Sequence, residues 1–222
     1  MTHARLLGFF SGFPTHHFPD AIAKRLKEEL PARDLLVFIS AWPSEDKRND
    51  EDAAGMHGMF EERGIPFSRY AIIDNRTEPC HATRLIQQAS CFFLMGGHAT
   101  RQFQLMREKG IVDEIRRSAA VILGVSADSI NMAKRSVDIW ESLVPYDGLG
   151  LADITVKAHF DLQNEELCQK LRQVSMTLPV CAMEDESAIF VKDGHIACTG
   201  RIHWIDKGII GPFAPGILNA AE

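Results

Sequence analysis

The sequence lacks several features that would assign it to common functional classes. Its 222 residues include five cysteines, an odd number, and no two of them form a Cys-x-x-Cys pair. Scattered cysteines of this kind predict free thiols in a reducing compartment rather than a disulfide framework. The 24 lysines and arginines are outnumbered by 30 aspartates and glutamates, and the net charge of −6 argues against nucleic acid as a partner.

Long apolar segments and cofactor motifs are also missing. The N-terminal stretch from Met1 to Phe10 holds only a short apolar run, so we expect no secretory signal, and no run is long enough to span a membrane. We therefore expect a cytoplasmic protein without a membrane partner. The chain has no dinucleotide fingerprint or P-loop. The pairs His16-His17 and Cys80-His81 lack metal-ligand spacing, and we expect neither a cofactor nor a metal.

Apolar runs typical of buried strands alternate with helical patterns through the first two-thirds of the chain. The runs are Leu6 to Phe10, Leu35 to Ile39, Phe67 to Ile73, Cys91 to Met95 and Ala120 to Leu123. Strands separated by helices must run parallel. The sequence therefore predicts an α/β fold with a doubly wound, mostly parallel sheet of the flavodoxin-like kind. The length and the hydrophobic content of 45% are sufficient for one core, so we expect a single domain over residues 1–222. We expect this domain to be a monomer or a homodimer.

Three further segments carry structural expectations. The charged segment from Asp46 to Asp52 is typical of a loop, and a helix is predicted after it. Ile130, Ala133, Val137 and Trp140 follow a helical spacing, which predicts a long amphipathic helix. Near the C-terminus, the Asp-Gly pair inside Ser187 to Cys198 is the favoured turn of a two-residue hairpin, so a small antiparallel region is expected there.

Ligands of doubly wound sheets bind beyond the carboxyl ends of the strands. Gly12, the pair Gly96-Gly97 and Ser126 each follow one of the predicted strands. We therefore expect a functional site where these residues meet.

The segment from Val121 to Ile130 carries the strongest chemical signal. An apolar strand pattern ends at Gly124-Val-Ser126, and a helical pattern starts immediately afterwards. A serine at a sharp strand-to-helix corner is the arrangement called a nucleophile elbow, which predicts a serine hydrolase. The N–H groups of Gly97 and Ala127 are candidates for an oxyanion hole.

A serine nucleophile needs a base, and the base needs an orienting acid. His159 ends a strand-like segment and is the best candidate base, although a plain packing role fits its position equally well. Glu184, Asp185 and Glu186 follow another apolar run, and the spacing does not choose among these three acids.

Four segments, taken in order, resemble peptidase family S51, the group of dipeptidase E (aspartyl dipeptidase) and cyanophycinase-like proteins with a class I glutamine amidotransferase-like fold. Two correspond to the family's glycine loop and elbow: Phe92-Phe-Leu-Met-Gly-Gly-His-Ala-Thr and Leu123-Gly-Val-Ser-Ala-Asp-Ser. Two correspond to its histidine and acid segments: Tyr146-Asp-Gly-Leu-Gly-Leu through His159-Phe-Asp, and Met183-Glu-Asp-Glu-Ser-Ala-Ile-Phe-Val-Lys-Asp-Gly. The resemblance covers about Leu6 to Gly208.

The resemblance implies a serine-type peptidase that hydrolyses short peptides through an acyl-enzyme. It places the nucleophile at Ser126, the base at His159 and the oxyanion donors at Gly97 and Ala127. The acid falls on Asp185, with Glu184 and Glu186 as near alternatives. Dipeptidases of the family favour acidic N-terminal residues, and a basic residue such as Arg101 would suit them. Gly96 and His98 are further candidates for contact with substrate.

The resemblance is broken at Asp128, where the family has glycine. At a separation of about 6 Å and an effective dielectric of about 20, an ionised carboxylate would oppose the oxyanion by about 2.8 kcal/mol, or roughly a hundredfold in rate. Two outcomes are open: a peptidase, slowed or unaffected, and a catalytically inactive protein that binds a peptide or small molecule on the same fold.

Overall fold

The computed structural model of the protein describes residues 5–139 and 142–214, without the side chains of Ala127 and Asp128. The strands are β1 (Leu7–Phe10), β2 (Leu35–Ile39), β3 (Arg69–Ile73), β4 (Cys91–Leu94), β5 (Val121–Val125), β6 (Arg135–Ser136), β7 (Tyr146–Asp147), β8 (Val156–Lys157), β9 (Val180–Met183), β10 (Ala188–Lys192), β11 (His195–Thr199), β12 (Ile202–Asp206) and β13 (Ile209–Pro212). The helices are α1 (Asp20–Glu29), α2 (Asp46–Glu62), α3 (Pro79–Gln88), α4 (Ala99–Glu108), α5 (Val112–Arg117), α6 (Ala127–Asn131) and α7 (Glu165–Val174).

The central sheet has seven strands in the order β11-β10-β1-β5-β4-β2-β3. The five strands from β1 to β3 in this order are parallel, and the β10–β11 hairpin is added antiparallel to β1. The predicted α/β fold with a mostly parallel, flavodoxin-like sheet is thus confirmed, as is the antiparallel hairpin near the C-terminus.

Both faces of this sheet are buried, which explains the continuous apolar runs. Along β2, Leu35, Val37 and Ile39 pack in one hydrophobic cluster. Leu36 and Phe38 alternate with them and pack in a second cluster on the opposite face. Because successive side chains of a strand point to opposite faces, a strand covered by helices on both sides has no polar alternation.

A second sheet has four strands in the order β13-β12-β9-β8, and its separation from the central sheet was not predicted. It packs on α7 through a third cluster that includes Leu171, Val180 and Ile205. β8 and β9 are parallel neighbours in this sheet. β8 covers only two residues of the strand-like segment that ends at His159.

The expectation of a loop from Asp46 to Asp52 was wrong, because α2 begins at Asp46. The charges of this segment lie on exposed turns of the helix, where Lys47 pairs with Glu51 and Arg48 with Asp52 at a spacing of four residues. Asn49 lies between these charged residues in the sequence but is buried, and its Oδ1 accepts a hydrogen bond from the Ser40 hydroxyl at 2.6 Å.

The prediction of a long amphipathic helix after the elbow was also wrong, because α6 ends at Asn131. The carbonyls of Asn131, Met132 and Ala133 accept hydrogen bonds from the amides of residues 149, 151 and 150 rather than from a further helical turn. Trp140 lies outside the described residues. No described helix combines the length and apolar character needed to cross a membrane.

Candidate active site

Ser126 sits at the corner between β5 and α6. Its backbone is strained, with φ 61° and ψ −136°, a conformation that non-glycine residues rarely adopt. The Ser126 N–H donates to the carbonyls of Phe10 (3.0 Å) and Ser11 (2.8 Å), which fixes the corner to the end of β1. Gly124 lets the chain after the corner pack closely on β5, because a Cβ there would lie 2.7 Å from the Met132 sulfur and 3.0 Å from the Ser129 Cα.

The Ser126 hydroxyl contacts the imidazole of His159. The distance between Ser126 Oγ and His159 Nε2 is 2.7 Å. His159 lies two residues beyond β8 in a left-handed backbone conformation, with φ 53°. It thus reaches Ser126 from the carboxyl end of the second sheet, whereas Ser126 follows a strand of the central sheet.

Asp185 is the acid that contacts His159. Its Oδ1 lies 2.6 Å from His159 Nδ1, while about half of each side chain remains exposed to solvent. Glu184 instead pairs with His203 at 2.8 Å, and Glu186 accepts a hydrogen bond from the Thr15 hydroxyl. The three acids that the spacing left open therefore have three different partners.

Ser11, which the sequence patterns gave no reason to select, connects the parts of this site. Its fully buried hydroxyl accepts the His159 N–H at 2.8 Å and donates to the Met183 carbonyl at 2.9 Å. Its carbonyl accepts the Ser126 N–H. One residue at the end of β1 thus holds the serine corner, the histidine and the strand before the acid.

Gly12, next along the chain, lies against the paired histidine and acid. A Cβ at this position would be 2.3 Å from His159 Cε1 and 2.6 Å from Asp185 Oδ1. Glycine is therefore required here by close approach of the side chains.

The loop with Gly96 and Gly97 borders the serine corner. A Cβ on Gly96 would lie 3.2 Å from the Cβ of Ser126. Gly97 has φ 149°, and a Cβ there would meet the indole nitrogen of Trp42 at 2.4 Å, so this position also needs glycine. Ala127, the other predicted oxyanion donor, is the first residue of α6.

A buried amide pair ties this loop to the elbow helix. Asn131 donates from Nδ2 to the carbonyl of Ala99 at 2.8 Å and to Gln102 Oε1 at 3.2 Å. Gln102 in turn donates to the carbonyls of Ile39 and Met95. Sequence reasoning missed both residues, because their polar side chains have no distinctive spacing.

The other predicted substrate residues lie around Trp42. The His98 ring packs edge-on against Trp42, with ring centroids 4.4 Å apart. Arg101 is exposed and lines a cavity of about 380 Å³ beside Trp42, whereas Ser126 and His159 line a different cavity of about 470 Å³. The structure thus brings Gly96, but not Arg101, to the wall of the cavity that contains the serine.

Lys157 is a buried cation close to the acid. Its side chain is 7% exposed, and its ammonium donates to the Ala158 carbonyl. Burial lowers its pKa from 10.5 to about 8, against the opposing attraction of Asp138 and Asp185. Lys157 is therefore close enough to Asp185, the partner of His159, for the two charges to interact.

The sequence model of peptidase family S51 matches residues 12–199, a range that includes Ser126, His159 and Asp185. The chain belongs to peptidase family S51. The resemblance carried by the four segments is thereby confirmed, and membership supports a peptidase, that is, a hydrolase. A comparison of this S51 protein with curated proteins found no significant match.

Solved structures share the fold of this S51 protein. A peptidase from an acI-B1 Actinobacterium superposes with a TM-score of 0.69 at 12% identity, over 97% of this chain and 96% of the other. A putative peptidase E protein from Listeria monocytogenes EGD-e superposes with a TM-score of 0.68 at 14% identity, over 88% and 98% of the two chains.

Proposed function

We propose that this S51 protein is a serine peptidase of the dipeptidase E type, which hydrolyses short peptides through an acyl-enzyme on Ser126. One observation carries the proposal: two short hydrogen bonds connect Ser126 Oγ through the His159 ring to Asp185, at 2.7 Å and 2.6 Å. This is the arrangement of nucleophile, base and orienting acid that activates a serine hydroxyl.

Each group then has a defined role. Ser126 Oγ attacks the peptide carbonyl while His159 Nε2 removes the hydroxyl proton, and His159 then delivers that proton to the departing amine. Asp185 keeps the proton of the ring on Nδ1, so that Nε2 is free to act as the base. Water, activated by the same imidazole, hydrolyses the ester on Ser126 and releases the acid product.

The tetrahedral intermediate needs donors for its oxyanion. The N–H groups of Gly97 and Ala127 are our candidates, because one belongs to the loop beside the Ser126 Cβ and the other directly follows Ser126. Preformed donors of this kind typically contribute about 10²–10³ in kcat each.

A second candidate function is a catalytically inactive peptide-binding or small-molecule-binding protein on the same fold. It is favoured by Asp128, a carboxylate two residues after the nucleophile where the family has glycine. The Asp128 side chain lies outside the described part of the structure.

A fluorophosphonate probe separates the two candidates, because it reacts only with an activated serine. The peptidase proposal expects labelling of the wild type at Ser126, located by peptide mass mapping, and loss of labelling in Ser126→Ala. Absence of labelling in the folded wild type, with labelling restored in Asp128→Gly, would identify the binding protein and the carboxylate as its cause.

A further inference from the structure

The cavity of about 470 Å³ beside Ser126 and His159 has an apolar wall. Three methionines and two other apolar side chains line it: Met56, Met59, Met95, Phe13 and Val125. A volume of this size accommodates a small ligand or an amino-acid side chain. Methionine side chains are flexible and polarisable, so such a wall adapts to apolar groups of different shapes.

The polar lining of the cavity away from Ser126 and His159 includes two carboxylates. Glu51 and Asp52 of α2 line it together with His16, and no lysine or arginine lines it in the described part of the chain. The ion pairs of these two carboxylates with Lys47 and Arg48 are 3.6 and 3.5 Å long, and the paired side chains are about half exposed or more. Exposed pairs of this kind are weak, and Lys47 and Arg48 do not line the cavity, so we expect Glu51 and Asp52 to disfavour an entering carboxylate.

Gly55 lines the cavity on the side of α2. It lies four residues after Glu51, and a Cβ at this position would meet nothing within 4 Å. A larger side chain therefore fits at this position without a clash at its Cβ, and we expect it to occupy part of the cavity. Gly58 of the same helix also has open space around its Cβ position, but it does not line the cavity.

We infer that this cavity receives the apolar side chain of the substrate residue whose carbonyl Ser126 attacks, and that Glu51 and Asp52 exclude acidic residues. The inference rests on the proposed function and narrows its substrate class to peptides with an apolar acyl residue. In this respect the chain differs from the family's dipeptidases, which favour acidic N-terminal residues. Continuity with the nucleophile supports the acyl side, because Gly96 and Val125 of the wall flank Ser126 directly.

Aminoacyl 4-nitroanilides test the inference, because the leaving group stays constant. We expect kcat/KM for the leucyl substrate to exceed that for the aspartyl substrate by roughly tenfold or more. Gly55→Leu should remove most of the leucyl activity by filling the cavity, while the matched variant Gly58→Leu keeps it. Equal or faster turnover of the aspartyl substrate, or full leucyl activity in Gly55→Leu, would overturn the inference.

A binding measurement separates this inference from the proposed function. Calorimetry on the Ser126→Ala variant compares leucyl-alanine with aspartyl-alanine without any turnover, and tighter binding of leucyl-alanine is expected. Labelling of Ser126 together with a preference for aspartyl-alanine would defeat the specificity inference alone. Preference for leucyl-alanine without labelling of the wild-type serine would defeat the peptidase proposal alone. Failure of both peptides to bind would overturn the inference.

Discussion

At the scale of single residues, the Ser11 hydroxyl lies behind the side chains of Ser126, His159 and Asp185, which we propose to be catalytic. It holds the His159 backbone and the Met183 carbonyl and has no exposed surface. A substrate would therefore not touch it. We regard it as a positioning residue, whose contribution should appear in turnover more than in substrate binding.

Ser11→Ala should lower kcat by tenfold or more while KM changes little, because a histidine displaced by about 1 Å can cost about 10² in rate. Loss of two buried hydrogen bonds should also reduce the unfolding free energy by roughly 1–3 kcal/mol. Steady-state kinetics and urea unfolding measure the two effects.

Ser175→Ala is the matched control, because Ser175 is equally buried and its hydroxyl also bonds two backbone groups, those of Gly208 and Arg172. It should lose similar stability without losing turnover. Equal kcat values for the Ser11→Ala and Ser175→Ala variants would show that Ser11 has only a structural role.

The choice of Asp185 among three acids can be tested in the same way. Asp185→Asn should reduce kcat by up to about 10⁴, because an amide cannot hold the required tautomer of His159. Glu184→Gln should leave kcat near that of the wild type, since Glu184 pairs with His203 and Arg201. A larger loss in the Glu184→Gln variant would reassign the acid.

Sequence patterns identified these residues unevenly. Ser126 was predictable because the Gly-x-Ser corner has a distinctive local pattern. His159 could be proposed but not decided from its position, and the choice of Asp185 came only from the resemblance. Ser11 could not be predicted, because its role depends on partners more than 140 residues away in the chain.

At the scale of elements, the contact between β5 and α6 determines where the serine points. Gly124→Ala should destabilise the fold by about 1–3 kcal/mol, because its Cβ would meet the Ser129 backbone and the helix would have to shift. The shift should also reduce turnover. Thermal unfolding and steady-state kinetics test both effects.

Gly58→Ala provides the control for this change. It adds the same methyl group in open space within α2 and should raise the unfolding free energy by about 0.5–1 kcal/mol, with unchanged kcat. If Gly124→Ala lowered neither the unfolding free energy nor kcat, as expected for Gly58→Ala, the close approach of α6 to β5 would be contradicted.

The strands could be predicted from local sequence patterns more completely than the ends of the helices. The buried strands were predictable because sheets covered on both faces require continuous apolar runs. The start of α2 was missed because its first turns are highly charged. The end of α6 was missed because residues 149–151 bond its last carbonyls, and a local window does not contain those partners.

At the scale of the whole molecule, the site forms where two sheets meet. Ser126 and the glycine loop follow strands of the central sheet, whereas His159 and Asp185 follow β8 and β9 of the second sheet. The relative position of the sheets therefore determines the distance between Ser126 and His159, the proposed nucleophile and base. Lys157 is buried at this junction. Its protonation state therefore affects the stability of the fold.

Lys157 should make stability depend on pH in the alkaline range. Its folded pKa of about 8 lies below the ordinary value of 10.5, so the unfolded chain binds more protons between these two pH values. The unfolding free energy should therefore rise with pH over this window, by at most about 3 kcal/mol from this group. Below pH 8 the full cost of the buried charge is present.

Comparison with Lys157→Met isolates this contribution from other titrating groups. The difference in unfolding free energy between wild type and variant, measured by urea unfolding from pH 7 upwards, should change in favour of the wild type as pH rises. A difference that stays constant with pH would contradict the burial of the charged group.

The central claim is that the Ser126 hydroxyl becomes acylated, and the most direct measurement is mass spectrometry after reaction with p-nitrophenyl acetate. Trypsin should release the peptide 118–134, which holds Ser118, Ser126 and Ser129, and fragmentation identifies the modified serine. We predict one acetyl group on Ser126, absent from the Ser126→Ala and His159→Ala variants. Acetylation of another serine, or equal modification of the Ser126→Ala variant, would contradict the account.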